Sequence, residues 1–247
     1  SFSGHQTEFR RAAGNSFGSS GQNYVTQVIA GNTFDYPAVH GLALSEATGT
    51  GFVSSSASAV ENGDVKLQDY PLVDLILGKQ KSTLIGRGRD GVHYRAFPAA
   101  LQKAIRQYVD KGGEMIISGQ YVASDIQDSR ATKEDRLFAS EILGVDSVAS
   151  HDRRSGRLRD SMSGKTIKYS STLNADNYIV EMPDILVPAG NSVTTEILTF
   201  PDSGGRAGHI VSHGKGKTAV ITVPVEAMTD KNERTALMRE VTGLLKK

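Results

Sequence analysis

The sequence predicts an α/β fold: a doubly wound, mostly parallel sheet carrying an antiparallel insertion. Three observations point there. Residues 72–77 (Leu-Val-Asp-Leu-Ile-Leu) are a near-continuous apolar run bounded by Pro71 and Gly78, the pattern of a parallel strand covered on both faces. Residues 97–125 read as an amphipathic helix, a Gly-Gly stop, a buried strand and a tight turn. Residues 145–206 then break into short alternating pieces separated by Asn, Asp, Gly and Pro. That is the signature of antiparallel strands, here inserted into a strand–helix frame.

Taken in order, residues 1–23 are rich in Gly, Ser and Asn and read as a loop-rich lead-in with a short helix near 8–13. Residues 24–30 are apolar and of undetermined type. Residues 42–44 read as a strand or sheet edge, and 51–56 as a strand ending in hydroxyls. Ser56 then caps a short helix over 57–62, stopped by Gly63. In the helix over 97–111, Leu101, Ala104, Ile105, Tyr108 and Val109 recur at three- and four-residue spacing, forming one apolar stripe. Pro98 stands at its first turn and Gly112 at its end, the asymmetry helices prefer. Residues 115–117 make the next strand and 133–143 the next helix, closed by Gly144. Within the insertion, 166–169, 178–180 and 195–199 read as strands. Residues 208–212 and 218–223 flank Gly-Lys-Gly-Lys at 214–217, a hairpin signal. A last helix covers 232–245. All 247 residues are read as one such α/β domain.

Lys+Arg is 28 and Asp+Glu 27, for a formal net charge of +1. That balance gives no reason to expect nucleic acid as a partner. There is no cysteine, which excludes disulfides, thiolate catalysis and Cys-ligated metal. No apolar run approaches the roughly 20 residues of a membrane span. The polar, Gly/Ser-rich start reads as a cut inside a longer chain, so other domains are expected as neighbours.

Several motifs together resemble a known superfamily. They are the strand with Gly78-Lys79-Gln80, the helix with Lys-Gly-Gly, the strand with Ser118-Gly119-Gln120-Tyr121-Val122, the Gly-Lys-Gly-Lys hairpin and Pro224-Val225-Glu226. This order is similar to the class I glutamine amidotransferase-like superfamily, flavodoxin-like in the broad sense. Within it, Gly31-Asn32-Thr33-Phe34-Asp35-Tyr36-Pro37-Ala38-Val39-His40-Gly41 resembles a domain of secreted Bacteroides-type proteins labelled xanthan lyase or N-acetylmuramoyl-L-alanine amidase. The resemblance implies a secreted or periplasmic setting. It does not imply amidotransferase activity. The family's elbow Cys is missing, and Pro224 stands where its late His would be, so a Cys–His mechanism cannot run.

Ligands of open α/β sheets bind beyond the carboxyl ends of the strands. Four such ends are expected at one rim, carrying Ser54 and Ser55, Lys79 and Gln80, Ser118 to Tyr121, and Glu226. Ser54, Ser55, Lys79, Gln80, Gln120, Tyr121 and Asp125 are the candidate ligand-binding residues; Asp125 is also a candidate helix N-cap. The hydroxyls, amides, cation and carboxylate suit a polar small molecule, glycan or peptide. Two functions stand on this rim. One is a non-catalytic ligand-binding or accessory domain of a secreted cell-envelope or glycan-processing protein. The other is a hydrolase in which Ser118 is the nucleophile, His40 the base and Asp35 its orienting carboxylate, or in which Glu226 acts. No cofactor and no metal are expected. His209 and His213 lie four apart on a strand, about 13 Å. Gly86–Gly91 lacks the lysine and hydroxyl of a phosphate loop, and the basic run 151–159 reads as a solvated loop.

Overall fold

The computed structural model describes residues 5–11, 25–33, 36–84, 92–93, 95–152, 155–172, 174 and 177–246, with backbone alone for 5–11, 25–33, 83–84 and 92–93. The chain opens with a two-stranded antiparallel ribbon, β1 (His5–Arg11) and β2 (Val25–Thr33). A strand stands there in place of the helix expected near 8–13. Helix α1 (Tyr36–Thr48) follows and takes in residues 42–44, which were expected as a strand. Gly41 sits inside this helix although glycine costs about 1 kcal/mol there. The reason is local: a Cβ at Gly41 would lie 2.3 Å from the Phe52 ring. Tertiary contact, not helix termination, put a glycine at that position.

Residues 51–56 are irregular and exposed rather than a strand. Helix α2 (Ala57–Glu61) begins at Ser56, whose side chain accepts from the Ala59 N–H. Next come β3 (Leu72–Gly78), the short pair β4 (Thr83–Leu84) and β5 (Val92–His93), α3 (Ala99–Asp110), β6 (Glu114–Gly119) and α4 (Lys133–Glu141). Thr132 and Asp135 form a reciprocal capping box at the start of α4, satisfying two backbone donors. Then follow β7 (Val145–His151), β8 (Arg157–Asp160), β9 (Thr166–Lys168), β10 (Asp184–Pro188), β11 (Val193–Thr199), β12 (Arg206–His213) and β13 (Gly216–Ile221). The chain ends in α5 (Lys231–Leu245), capped by Asp230.

The main sheet runs β3-β6-β13-β12-β11-β8-β9, with β10 pairing both β12 and β7. Only β3–β6 and β6–β13 are parallel; the other six pairings are antiparallel. The expected doubly wound, mostly parallel, flavodoxin-like sheet is therefore not the fold of this chain. The physical cause is the hairpin between β12 and β13. It turns the sheet antiparallel at its centre, and every strand added beyond it pairs antiparallel. Residues 145–206 are accordingly no excursion: β8, β9 and β11 make up one end of the sheet itself. Residues 178–180 form no strand.

Two apolar layers flank the sheet, and the strands feed them alternately as the pleat requires. Ile116, Ala219 and Ile221 face Leu237, Met238 and Val241 of α5 and Ala43 of α1. Met115, Ile117 and Val220 face Leu101, Ile105 and Val109 of α3 and Phe138 of α4. Each buried Leu, Ile, Val, Met or Phe side chain among them contributes roughly 1.5–3 kcal/mol. Helices thus lie against both faces of the parallel strands, and the carboxyl ends of β3, β6 and β13 share one edge of the sheet.

Candidate functional site

At that edge the structure assembles a buried charged cluster. His40 is supplied by α1, Asp74 by the middle of β3, and Glu226 by the single turn (Val225–Ala227) that follows β13. The His40 ring lies between the carboxylates, with Nδ1 2.7 Å from Asp74 Oδ2 and Nε2 2.9 Å from Glu226 Oε2. His40 and Glu226 are 1% and 3% exposed, so neither charge is solvated. Burial alone would push the imidazole pKa down. Asp74 and Glu226 outweigh it and raise the pKa to about 10. His40 is therefore an imidazolium that donates from both nitrogens, and the two carboxylates are the compensation a buried cation requires.

The second oxygen of Glu226 accepts the Tyr178 hydroxyl at 2.8 Å, and its backbone carbonyl accepts Asn177 Nδ2 at 2.5 Å. Burial, then the charge of Glu226, holds the phenol of Tyr178 well above the usual tyrosine range, and Tyr36 is raised by the same two causes. The two rings meet edge to face at 5.6 Å. Gly78 (φ +54°) closes this corner: a Cβ there would stand 3.3 Å from Glu226 Oε1. Lys79 continues the same strand end. Its ammonium binds the Ile179 carbonyl at 2.9 Å and the Glu181 carboxylate, and lies 5.9 Å from the Tyr178 ring centre. Residues 177–181 are thereby strapped across the ends of β3 and β13.

Beside Glu226 opens a cleft of about 390 Å³. Tyr36, Tyr169, Ser170, Thr172, Asn174 and Asn177 form part of its wall, Met228 and Thr229 another, and Arg234 of α5 completes it. Hydroxyls and amides predominate among these groups, with aromatic and thioether surface between them.

The residues singled out in the sequence divide sharply. Glu226 and His40 come together, joined by Asp74, Tyr178 and Tyr36, which the sequence reading did not propose as site residues. Asp74 carried a signal: a carboxylate in the middle of an apolar strand needs a buried partner. Asp35 lies outside the described residues. Ser118 is not brought to His40. It is fully buried, its Oγ makes no hydrogen bond, and both His40 nitrogens are occupied. The structure thus contains no Ser118–His40 nucleophile–base pair.

Gln120 is also fully buried. Its carbonyl accepts the Asp184 N–H at 3.1 Å. The carboxylate of Asp184 in turn accepts the Ala123 and Ser124 N–H groups at 2.9 and 2.8 Å. Tyr121 is half-buried under Lys81, whose ammonium stands 4.6 Å from the ring centre. Asp125 caps no helix: its oxygens accept the Ser82 and Ala96 N–H groups at 2.7 and 2.9 Å, pinning the two loop ends. Gln80 is exposed and donates to the Arg95 carbonyl. Ser54 and Ser55 are exposed in the irregular segment before α2. His209 donates to the Leu143 carbonyl at 2.7 Å, and burial lowers its pKa to about 4. His213 contacts Thr218 instead, so the two histidines serve separate structural bonds. Gly86–Gly91 lies outside the described residues. Of the basic run, residues 153 and 154 lie outside them too, while Arg157 and Arg159 are the exposed residues of β8 rather than part of a loop, and Arg157 pairs with Asp202.

No protein-family model matches the chain, and no curated protein sequence does. Solved structures do. A polyextremophilic β-galactosidase from the Antarctic haloarchaeon Halorubrum lacusprofundi is 13% identical, over 86% of this chain and 26% of that one, with a TM-score of 0.52. A cold-adapted β-galactosidase from Rahnella sp. R3 is 14% identical, over 86% and 27%, with a TM-score of 0.51. A cytoplasmic protein of Salmonella typhimurium LT2 aligns over 100% and 97% at 15% identity, with a TM-score of 0.46. The chain spans about a quarter of the length of the two β-galactosidases. What it shares with that part of them is the fold.

Proposed function

We propose that this chain is a ligand-binding, accessory domain of a glycan-processing protein, taking a saccharide in the cleft beside Glu226. The secreted or envelope setting implied by the sequence resemblance is part of this proposal. One observation carries it. At the carboxyl end of a parallel strand, an open cleft of about 390 Å³ is walled by hydroxyls, amides and tyrosines. Sugars are recognised by such mixtures of hydrogen-bonding groups and apolar ring surface. The fold likeness to part of two β-galactosidases is consistent with a glycan context.

Binding rather than turnover is favoured because the groups that would react are committed. His40 is locked as a cation between two carboxylates, and both Glu226 oxygens are hydrogen-bonded. The test is titration calorimetry with a panel of oligosaccharides, beside a fluorogenic glycoside and peptide panel. Wild type is expected to bind at least one saccharide and to hydrolyse none. Thr172→Trp, at an exposed position on the cleft wall, is expected to abolish binding without lowering the melting temperature. If no saccharide binds, or if binding survives that obstruction, the reading is wrong.

A further inference from the structure

Resting on the reading of the cleft as a saccharide site, the charges around it narrow the ligand further. Among the described residues, the cleft wall carries two charged side chains, Glu226 and Arg234, of opposite sign. Neither is offered to a ligand. Glu226 is buried, and His40 and Tyr178 take one carboxylate oxygen each. Arg234 is half-buried. Its Nε is buried and its Nη1 donates to the Met228 carbonyl at 2.7 Å, so the Nε edge of the guanidinium is closed to a ligand.

The charges behind the wall balance as well. One imidazolium, His40, faces two carboxylates, Asp74 and Glu226, and Arg234 is the second cation of that set. Burial pulls the Arg234 pKa below the ordinary arginine value, and the fields of Asp230, Glu226 and Glu46 oppose that loss. What stays exposed of the guanidinium therefore carries a charge already answered by three carboxylates. The outer two have further partners. Asp230 accepts the Asn232 and Glu233 N–H groups at the amino end of α5, where a helix is positive. Glu46 pairs with Lys231. Each of these charges thus meets an opposite one within the fold. What the wall offers a ligand instead is hydroxyl: Thr172 and Thr229 are exposed, and Ser171 is half-buried. The amides shape the wall, with Asn174 Nδ2 donating to Ser170 Oγ and Asn177 Nδ2 to the Glu226 carbonyl. A ligand carboxylate or ammonium seated here would give up water without meeting an uncommitted opposite charge. A sugar hydroxyl exchanges one hydrogen bond for another.

We infer that the cleft selects an uncharged saccharide, and that uronic-acid and amino sugars of the same linkage are rejected because the charges of the wall are already answered within the fold. Selectivity then comes from what the wall withholds, and adding one cation to it changes the preference.

The experiment is calorimetry at about pH 6, where carboxylates are ionised and amines protonated, with three probes of one linkage: the neutral trisaccharide that binds best in the panel above, its tri-uronate and its tri-amine counterpart. Wild type is expected to bind the neutral trisaccharide about tenfold or more tighter than either charged one, with an affinity that does not change with salt. Thr229→Lys adds a cation at an exposed point of the wall. It is expected to tighten tri-uronate binding by about threefold or more at low salt, to lose that gain as salt rises, and to leave the neutral trisaccharide bound as in wild type. If either charged trisaccharide binds wild type as tightly as the neutral one, or if a folded Thr229→Lys binds the tri-uronate no better than wild type does, the inference falls and the saccharide cleft stands. If no probe binds, the saccharide reading itself falls, and the inference with it.

Discussion

The ends of β6 and β13 are neighbours in one sheet, parallel and paired, yet they were put to opposite uses. Beyond β6 the chain turns through Gln120–Asp125, and the carboxylates there are held by backbone N–H groups. Asp125 holds two loop ends, Asp184 holds the turn, and Ser118 is sealed in. Beyond β13 a single turn places Glu226 against His40, and the wall next to it stays open. What differs is the segment that crosses each end. Strand β10 enters directly over the first, through Asp184. The strap of residues 177–181 touches the second only along one side. A strand end is thus a place where a site can be built, and the path of the covering chain decides whether it is.

The largest test of that contrast is His40→Ala. It leaves two buried carboxylates without their cation, and breaking a buried pair in this way costs about 3–5 kcal/mol, read by urea unfolding at pH 7. The pH dependence follows from the sign of the shift. With a folded pKa near 10 against about 6.5 unfolded, the folded state holds the proton more tightly. The stability contributed is fully present below about pH 6.5 and is lost as pH rises through 10. Wild type should therefore weaken between pH 7 and pH 10.5, while His40→Ala should not show that slope. A wild-type stability flat over that range would remove the charged cluster from the account.

A smaller effect is expected at the other strand end. Asp184→Asn keeps the shape of the carboxylate but weakens its bonds to two backbone N–H groups, at a cost of about 1–3 kcal/mol. It should leave saccharide binding in the cleft unchanged. If it weakened binding as much as stability, the two strand ends would be one coupled site and the contrast would fail. The smallest effect is expected for Ser118→Ala. Its Oγ is buried with no partner to lose, so stability should hold or rise by about 1 kcal/mol and binding should not move. A hydrolytic activity abolished by this substitution would return chemistry to the elbow.

Most individual elements were legible from the residues. The stripe Leu101-Ala104-Ile105-Tyr108-Val109 gave a helix, the apolar run at 72–77 a strand, and Gly-Lys-Gly-Lys at 214–217 a hairpin, because local pattern dictates local structure. Sheet topology was not legible, because whether β8 and β11 stand apart or join the sheet depends on pairing between distant residues. Helix α1 was hidden for a similar reason: Gly41 reads as a breaker until Phe52 is laid over it. In the site, Glu226 and His40 were visible as residue types. Their relation was not, since 186 positions separate them. Ser118 attracted attention by its place in a motif, and burial removed it.

One feature of β3 reaches beyond ligand binding. This strand is an edge of the main sheet, paired only with β6 among the described strands, and edges invite both slippage and intermolecular pairing. Asp74 sits opposite Ile116 on the face toward α1, where His40 meets it. Sliding β3 by one residue would turn Asp74 to the opposite face, against the apolar layer of α3, with no cation there. The His40–Asp74 contact therefore acts as a key cut for one register, making this edge costly to misalign during folding and unattractive as a template for another chain.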